Sequence, residues 1–248
     1  MPKSRVPNNK NTHCIYWLVF NSKQFPFHHK KIRQALSSIL NRKKICSEFP
    51  KELVPAYAPL PTSSHLHKHH IYKTAPKILF QEALQELHLS LQFFPEIVLT
   101  YSNNDMWKKV ATLIKSQWEE MLGIQCKLEA HDEEHFTTLY AKNHHIATVN
   151  WYSAISDPIY TFYSFFAQGE CVNFSKWRNK EYEKLFLLAN RSAVNREKYF
   201  AKMEKILLEE VPIAPIAYKK SLFIKQKTLV IPPLLENGFI DLKFSKLN

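Results

Sequence analysis

The chain has 248 residues, 45% of them hydrophobic, enough for one large α/β domain or two modest ones to bury a core without a disulfide or metal staple. Its formal net charge of +12 is spread over short runs such as Arg42-Lys43-Lys44 and Lys219-Lys220. No helix-turn-helix, zinc-finger or RNA-recognition signature accompanies them, so they read as a solvated basic surface and nucleic acid is not expected as a partner.

Cys14, Cys46, Cys126 and Cys171 form no CxxC pair, which excludes a zinc ribbon or a dithiol site and leaves their disulfide state open. The longest apolar stretches fall far short of the roughly 20 residues a bilayer span requires. Met1 to Arg5 has the charge of a signal peptide's first region, but no long apolar run follows it. On its own terms the chain shows no export signal.

In chain order, Cys14 to Phe20 is β-branched and aromatic and predicts a strand. After Phe25-Pro26-Phe27, apolar residues at Ile32, Ala35, Leu36, Ile39 and Leu40 have the period of an amphipathic helix. The proline-rich stretch from Pro50 to Pro76, with His65, His67, His69 and His70, reads as a loop. A helix from Lys77 to Leu87 follows.

Ile97 to Tyr101 predicts a strand, and Asn103, Asn104 and Asp105 are good helix caps. Trp107, Val110, Ala111, Ile114, Trp118, Met121 and Leu122 form one apolar stripe, which Gly123 ends as a C′ glycine. Alternation at Ile124, Cys126 and Leu128 gives a second strand, and a strand–helix–strand unit of this spacing makes the two strands parallel. Val98, Trp107, Ile114, Trp118, Ile124 and Val149 are predicted to share one core. A helix from Asp132 to Lys142 precedes a third strand, Ile146 to Trp151. Asp157-Pro158 has the form of N-cap plus N1. Helices at Asn179–Asn190 and Asn195–Glu210 follow, the second with a stripe of Tyr199, Met203, Ile206 and Leu207, before strand and turn character from Ile213 to Phe244.

The order of these segments resembles one family. Phe25-Pro26-Phe27, then Lys31 to Leu36, then Asn41-Arg42-Lys43-Lys44-Ile45 is similar to the P-F-x-D-x-R-V-R-x-A-L … D-R-x-x-I block of the family 5 extracytoplasmic solute-binding proteins. Pro55 to Pro61 looks like that family's P-A-x-x-P-x-P loop, and Trp118 to Ile124 stands where it has x-x-x-L-G-I. Trp151 to Pro158 is similar to W-x-x-D-Y-x-D-P, and Val211 to Ile216 resembles the return strand x-x-P-I-x-P-I/L.

The resemblance implies an α/β fold, the second lobe of a class II periplasmic-binding-protein clamshell (Venus flytrap), with a mixed sheet and flanking helices. It divides the chain into residues 1–20, a strand of an incomplete first lobe; 21–217, the second-lobe domain; and 218–248, a return to the first lobe. It further implies a short peptide ligand, an ABC permease as partner, the missing N-terminal lobe supplied in trans, and a periplasmic or extracytoplasmic location. Asn150, Trp151, Tyr152 and Ser153 would offer backbone groups to a peptide as an added strand does. Ala154 stands where the family has an aspartate that pairs with the peptide's ammonium. Asp157 is then either a substitute for that charge or a helix cap.

No cofactor motif is present, and with three glycines the chain has no phosphate-cradling loop. His131-Asp132-Glu133-Glu134-His135 matches the H-x-x-E-H zinc-peptidase pattern, in which two histidines one helical turn apart hold the metal and Glu134 activates water. The bland alternative is an acidic first helical turn. The four loop histidines could bind a divalent metal. The reading is a non-enzyme that binds peptides for uptake. Its rivals are a decayed fragment without a ligand and a zinc-dependent peptidase.

Overall fold

The computed structural model describes residues 3–60, 74–132, 144–153, 155, 157–166, 172–192, 194–226, 228–231 and 242–247. Strands and helices follow in the order β1 (Lys3–Phe20), α1 (Lys30–Ile39), α2 (Arg42–Ser47), β2 (Leu53–Pro55), α3 (Pro76–Glu86), β3 (Ile97–Ser102), α4 (Asp105–Leu122) and β4 (Cys126–His131). Then come β5 (Ile146–Tyr152), α5 (Ile159–Tyr163), α6 (Lys180–Arg191), α7 (Arg196–Glu210), β6 (Ile213–Gln226), β7 (Leu229–Val230) and β8 (Lys246–Leu247). Strands β1 to β6 make one mixed sheet in the order β2-β6-β1-β5-β3-β4, and β7 and β8 pair separately.

Helices cover both faces of the large sheet, which explains the unbroken apolar run in β1. Successive side chains of a strand point to opposite faces. Cys14, Tyr16, Leu18 and Phe20 therefore enter the core under α1 to α4, while Ile15, Trp17 and Val19 enter the core under α5 to α7. The predicted single core is thus two. Trp107, Ile114, Trp118 and Ile124 lie in the first and Val149 in the second. Val98 is only half-buried, because it alternates with the buried Ile97 and Leu99 and faces the opposite side near the β4 edge. Met121, at the rim of the α4 stripe, is 43% exposed. Cys14, Cys46 and Cys126 are buried and are not joined in disulfides.

In the structure residues 14–20 lie mid-sheet, antiparallel to β5 from Cys14↔Tyr152 to Phe20↔Ile146 and to β6 from Ile15↔Tyr218 to Val19↔Ile213. The β1–β6 pairing also continues outward, from Asn11↔Lys220 to Lys3↔Gln226. Strands β3 and β4 are parallel over the whole span Ile97↔Cys126 to Ser102↔His131. Between them α4 is capped as its sequence requires. The Asn104 side chain accepts from the Trp107 amide, and Gly123 takes a left-handed φ of 69°.

Two basic residues that composition assigns to the surface are internal. Arg33 is 2% exposed and Arg42 8%. The Arg33 guanidinium donates to the carbonyls of Phe27 (2.7 Å), His28 (3.1 Å), Glu210 (2.6 Å) and Val211 (3.1 Å). It closes the C-terminus of α7, where last-turn carbonyls lack intrahelical partners. Arg42 does the same for α1, donating to Ser37 O (3.1 Å) and Leu40 O (3.3 Å), and reaches Pro215 O on β6 (2.6 Å). The arginines of the Lys31–Ile45 block are therefore structural pins: Arg33 ties α1 to the end of α7, and Arg42 ties the end of α1 to β6.

The expected helix over 132–142 lies, beyond Asp132, outside the described residues, as do His65, His67, His69 and His70; the stretch expected as loop from Pro50 is described to residue 60 and contains the short strand β2.

Candidate functional site

The three parallel strands β3, β4 and β5 end at one edge of the sheet. From β3 the chain passes through α4 to β4 on one side, yet β5 lies on the other side of β3. Strand order reverses between β3 and β5, and a crevice forms outside the carboxyl ends of strands at such a switch point. The register of β3 with β5 covers only Leu99↔Ile146 and Thr100↔Ala147, whereas β5 runs on to Tyr152 beside β1. The same edge receives the N-terminus of α4. Its Trp107 packs edge-on against Tyr16 at 5.4 Å and donates from Nε1 to Asn150 Oδ1 at 3.0 Å.

The end of β5 carries the residues that the resemblance points to. Asn150 is exposed and held by Trp107. Trp151 turns inward at 8% exposure, stacks on Trp17 (5.8 Å, 22°), and donates from Nε1 to Thr161 Oγ1 at 3.1 Å. Tyr152 is 40% exposed, and its hydroxyl is pushed above the usual phenol range by partial burial and then by Cys14. Ser153 is buried and donates to Ile155 O at 2.6 Å. Ala154 lies outside the described residues. Asp157 caps α5, its Oδ1 accepting from the Ile159 amide at 3.0 Å, and its Oδ2 is 2.7 Å from Arg196 Nη2. Tyr160, Tyr163 and Arg196 join this neighbourhood without having been singled out in the sequence. The spacing of the two tyrosines after Pro158 was the available signal for them, and Arg196 had none.

At the other end of the β3–β5 pairing, His145 Nδ1 accepts from the Val98 amide at 3.2 Å. Burial lowers its pKa below 6.5, while Glu129 pulls weakly the other way. The unfolded chain therefore takes up a proton first as pH falls, and protonation at Nδ1 opposes the bond. His145 contributes stability that is complete above pH 6.5 and is lost as pH falls through the depressed value. His28 shifts the same way, through burial and then His29 and Arg33. Urea unfolding between about pH 7 and about pH 5 is expected to show a shallower pH dependence in His145→Asn than in the wild type, with the His28 share remaining.

His131 is the last residue of β4, not part of a helix, and Asp132 next to it accepts from Asn103 Nδ2 at 3.0 Å. That placement departs from the one-turn helical spacing which the metal reading of His131, Glu134 and His135 requires. The latter two lie outside the described residues. Among the described residues no three His, Cys, Asp or Glu side chains cluster as metal ligands.

A family model of bacterial extracellular solute-binding proteins, family 5 (middle), matches residues 2–171. The chain belongs to that family. Among relatives, the oligopeptide-binding protein OppA of Bacillus subtilis is 26% identical over 228 residues, which cover 87% of this chain and 42% of OppA. The dipeptide-binding protein DppE of Bacillus subtilis is 25% identical over 252 residues, covering 94% of this chain and 45% of DppE. The chain thus spans less than half the length of these two relatives. In fold it is similar to the ABC transporter substrate-binding protein CtaP of Listeria monocytogenes, with a TM-score of 0.83 at 19% identity over 99% of this chain and 52% of that one. Among the described residues no helix is long and apolar enough to cross a membrane.

Proposed function

We propose that this family 5 chain forms one wall of a binding cleft for short peptides and serves an ABC importer outside the cytoplasm. Its ligand would bind at the carboxyl end of β5, through the backbone from Asn150 to Ser153. The observation that carries this reading is the strand order, which reverses between β3 and β5, with β5 running on to Tyr152 beyond its last register pair with β3. An extended peptide entering there adds as a strand, with backbone hydrogen bonds supplying affinity and side-chain pockets supplying selectivity. The names of OppA and DppE as oligopeptide- and dipeptide-binding proteins support the ligand class. The importer's permease and a complementary lobe, from a longer chain or in trans, complete the assembly.

A single wall is a weak binder. Small-ligand clefts bury about 70–90% of the ligand surface, and one wall forgoes much of that contact while the cost of immobilising a flexible peptide stays. Calorimetry against a pool of short peptides tests the proposal, first with these residues alone and then with the first lobe of an oligopeptide-binding relative added. Weak or undetectable binding alone, rising to the micromolar range with the added lobe, is the expected result. No binding in either case would reject the peptide reading and leave a folded domain without a ligand.

A further inference from the structure

From residue 144 to residue 166 the sequence holds one acidic residue, Asp157, and no lysine or arginine. Both oxygens of that carboxylate are engaged, one by the Ile159 amide at 3.0 Å and the other by Arg196 Nη2 at 2.7 Å. Arg196 is itself fixed. Its Nε donates to Ala189 O at 3.0 Å, and its guanidinium lies 5.0 Å from the Phe200 ring, which stacks on Phe162 of α5 at 5.3 Å. The cation at the start of α7 is thus held against the one anion of the segment that leads from β5 into α5.

Beside this neutralised carboxylate the wall is aromatic. Tyr160 and Tyr163, three residues apart on α5, share a helix face and are 37% and 42% exposed. Tyr160 lies 5.5 Å from Trp151 and Tyr163 6.0 Å from Phe186. A partly exposed ion pair adds little to stability, but it cancels the local field that an isolated carboxylate would present to a ligand.

We propose that the Asp157–Arg196 pair sets specificity: it keeps this wall electrically neutral, so that the Tyr160–Tyr163 face takes an uncharged aromatic or aliphatic group of the peptide and disfavours its ammonium terminus. The inference rests on the peptide-binding reading and deepens it. Arg196 acts here through Asp157 and is a positioning residue.

The test compares the tripeptide Phe-Ala-Phe bearing a free N-terminus with its N-acetylated form, titrated by NMR into the chain with the complementary lobe present. The wild type is expected to bind the acetylated form about fivefold more tightly. Arg196→Gln, which keeps a donor for Ala189 O but frees the carboxylate, is expected to move that ratio about tenfold toward the free amine. Arg196→Lys should restore the wild-type ratio. Asp157→Asn leaves the Arg196 cation without its counter-ion and should move the ratio the opposite way, so the proposal stays testable if one variant unfolds. A ratio unchanged in both Arg196→Gln and Asp157→Asn would overturn the specificity role while leaving peptide binding intact, as would a wild type that prefers the free amine. Failure of both peptides to bind the wild type and every variant would instead overturn the peptide reading itself.

Discussion

Arg33→Met is expected to destabilise the fold by about 3–5 kcal/mol. Methionine fills most of the volume of the arginine stem, so the loss is chiefly polar. The carbonyls of Phe27, His28, Glu210 and Val211 all accept from the guanidinium, and a buried acceptor stripped of its donor costs about 1–3 kcal/mol. The Glu210 and His28 contacts are partly exposed, so water takes over some of them and the total stays below four full penalties. Val211 sharpens the effect, because it sits in the left-handed region at φ 50°, a conformation that costs a β-branched residue roughly 1–2 kcal/mol. Urea unfolding at unchanged m-value is the measurement. Arg33→Lys should recover only part of the loss, since an ammonium cannot span carbonyls on both sides as a planar fork does. A change below about 1 kcal/mol would show that solvent replaces the guanidinium.

That arginine also marks where sequence reasoning runs out. Periodicity places Arg33 on α1 beside Ile32, but nothing in the spacing says that the end of α7, 177 residues away, lies against it. The unit from Ile97 to Leu128 was legible because its determinants are local: alternation, the Asn104 cap, the α4 stripe and the Gly123 stop all act within a few residues. Strand β1 was legible only from Cys14 onward. The stretch Pro7-Asn8-Asn9-Lys10-Asn11 has no strand propensity, and its extension follows from pairing with β6 across more than two hundred residues. The single predicted core became two because the unbroken apolar run of β1 does not reveal which faces are covered.

The candidate site divides in the same way. Asn150 to Ser153 were singled out only by the resemblance of Trp151 to Pro158 to the family's W-x-x-D-Y-x-D-P segment, and Asp157 also because an Asp-Pro pair reads as a cap. Arg196 is a tertiary partner with no local signature. The switch point is a matter of strand order, visible only once β5 is seen on the far side of β3 from β4.

Trp151→Ala is expected to cost about 3–5 kcal/mol, a core effect from a residue at the proposed binding edge. The indole is 8% exposed, lies between Trp17 and Tyr160 at 5.8 and 5.5 Å, and donates to Thr161 Oγ1. Truncation removes both ring contacts and opens a cavity beneath α5, while the partner hydroxyl loses its donor. Trp151→Phe keeps an aromatic ring against Trp17 and loses mainly the hydrogen bond, worth about 1 kcal/mol. The two variants separate packing from recognition. If Trp151 serves the cleft by holding α5 against β5, Trp151→Phe leaves peptide affinity within about a factor of two of the wild type, and Trp151→Ala loses stability and affinity together. A Trp151→Phe protein of near-native stability whose peptide affinity falls more than about tenfold would place the indole in direct contact with the ligand. Thermal unfolding and peptide calorimetry on the same two variants, with the complementary lobe present, decide between these outcomes. The inward stacking on Trp17 favours the first.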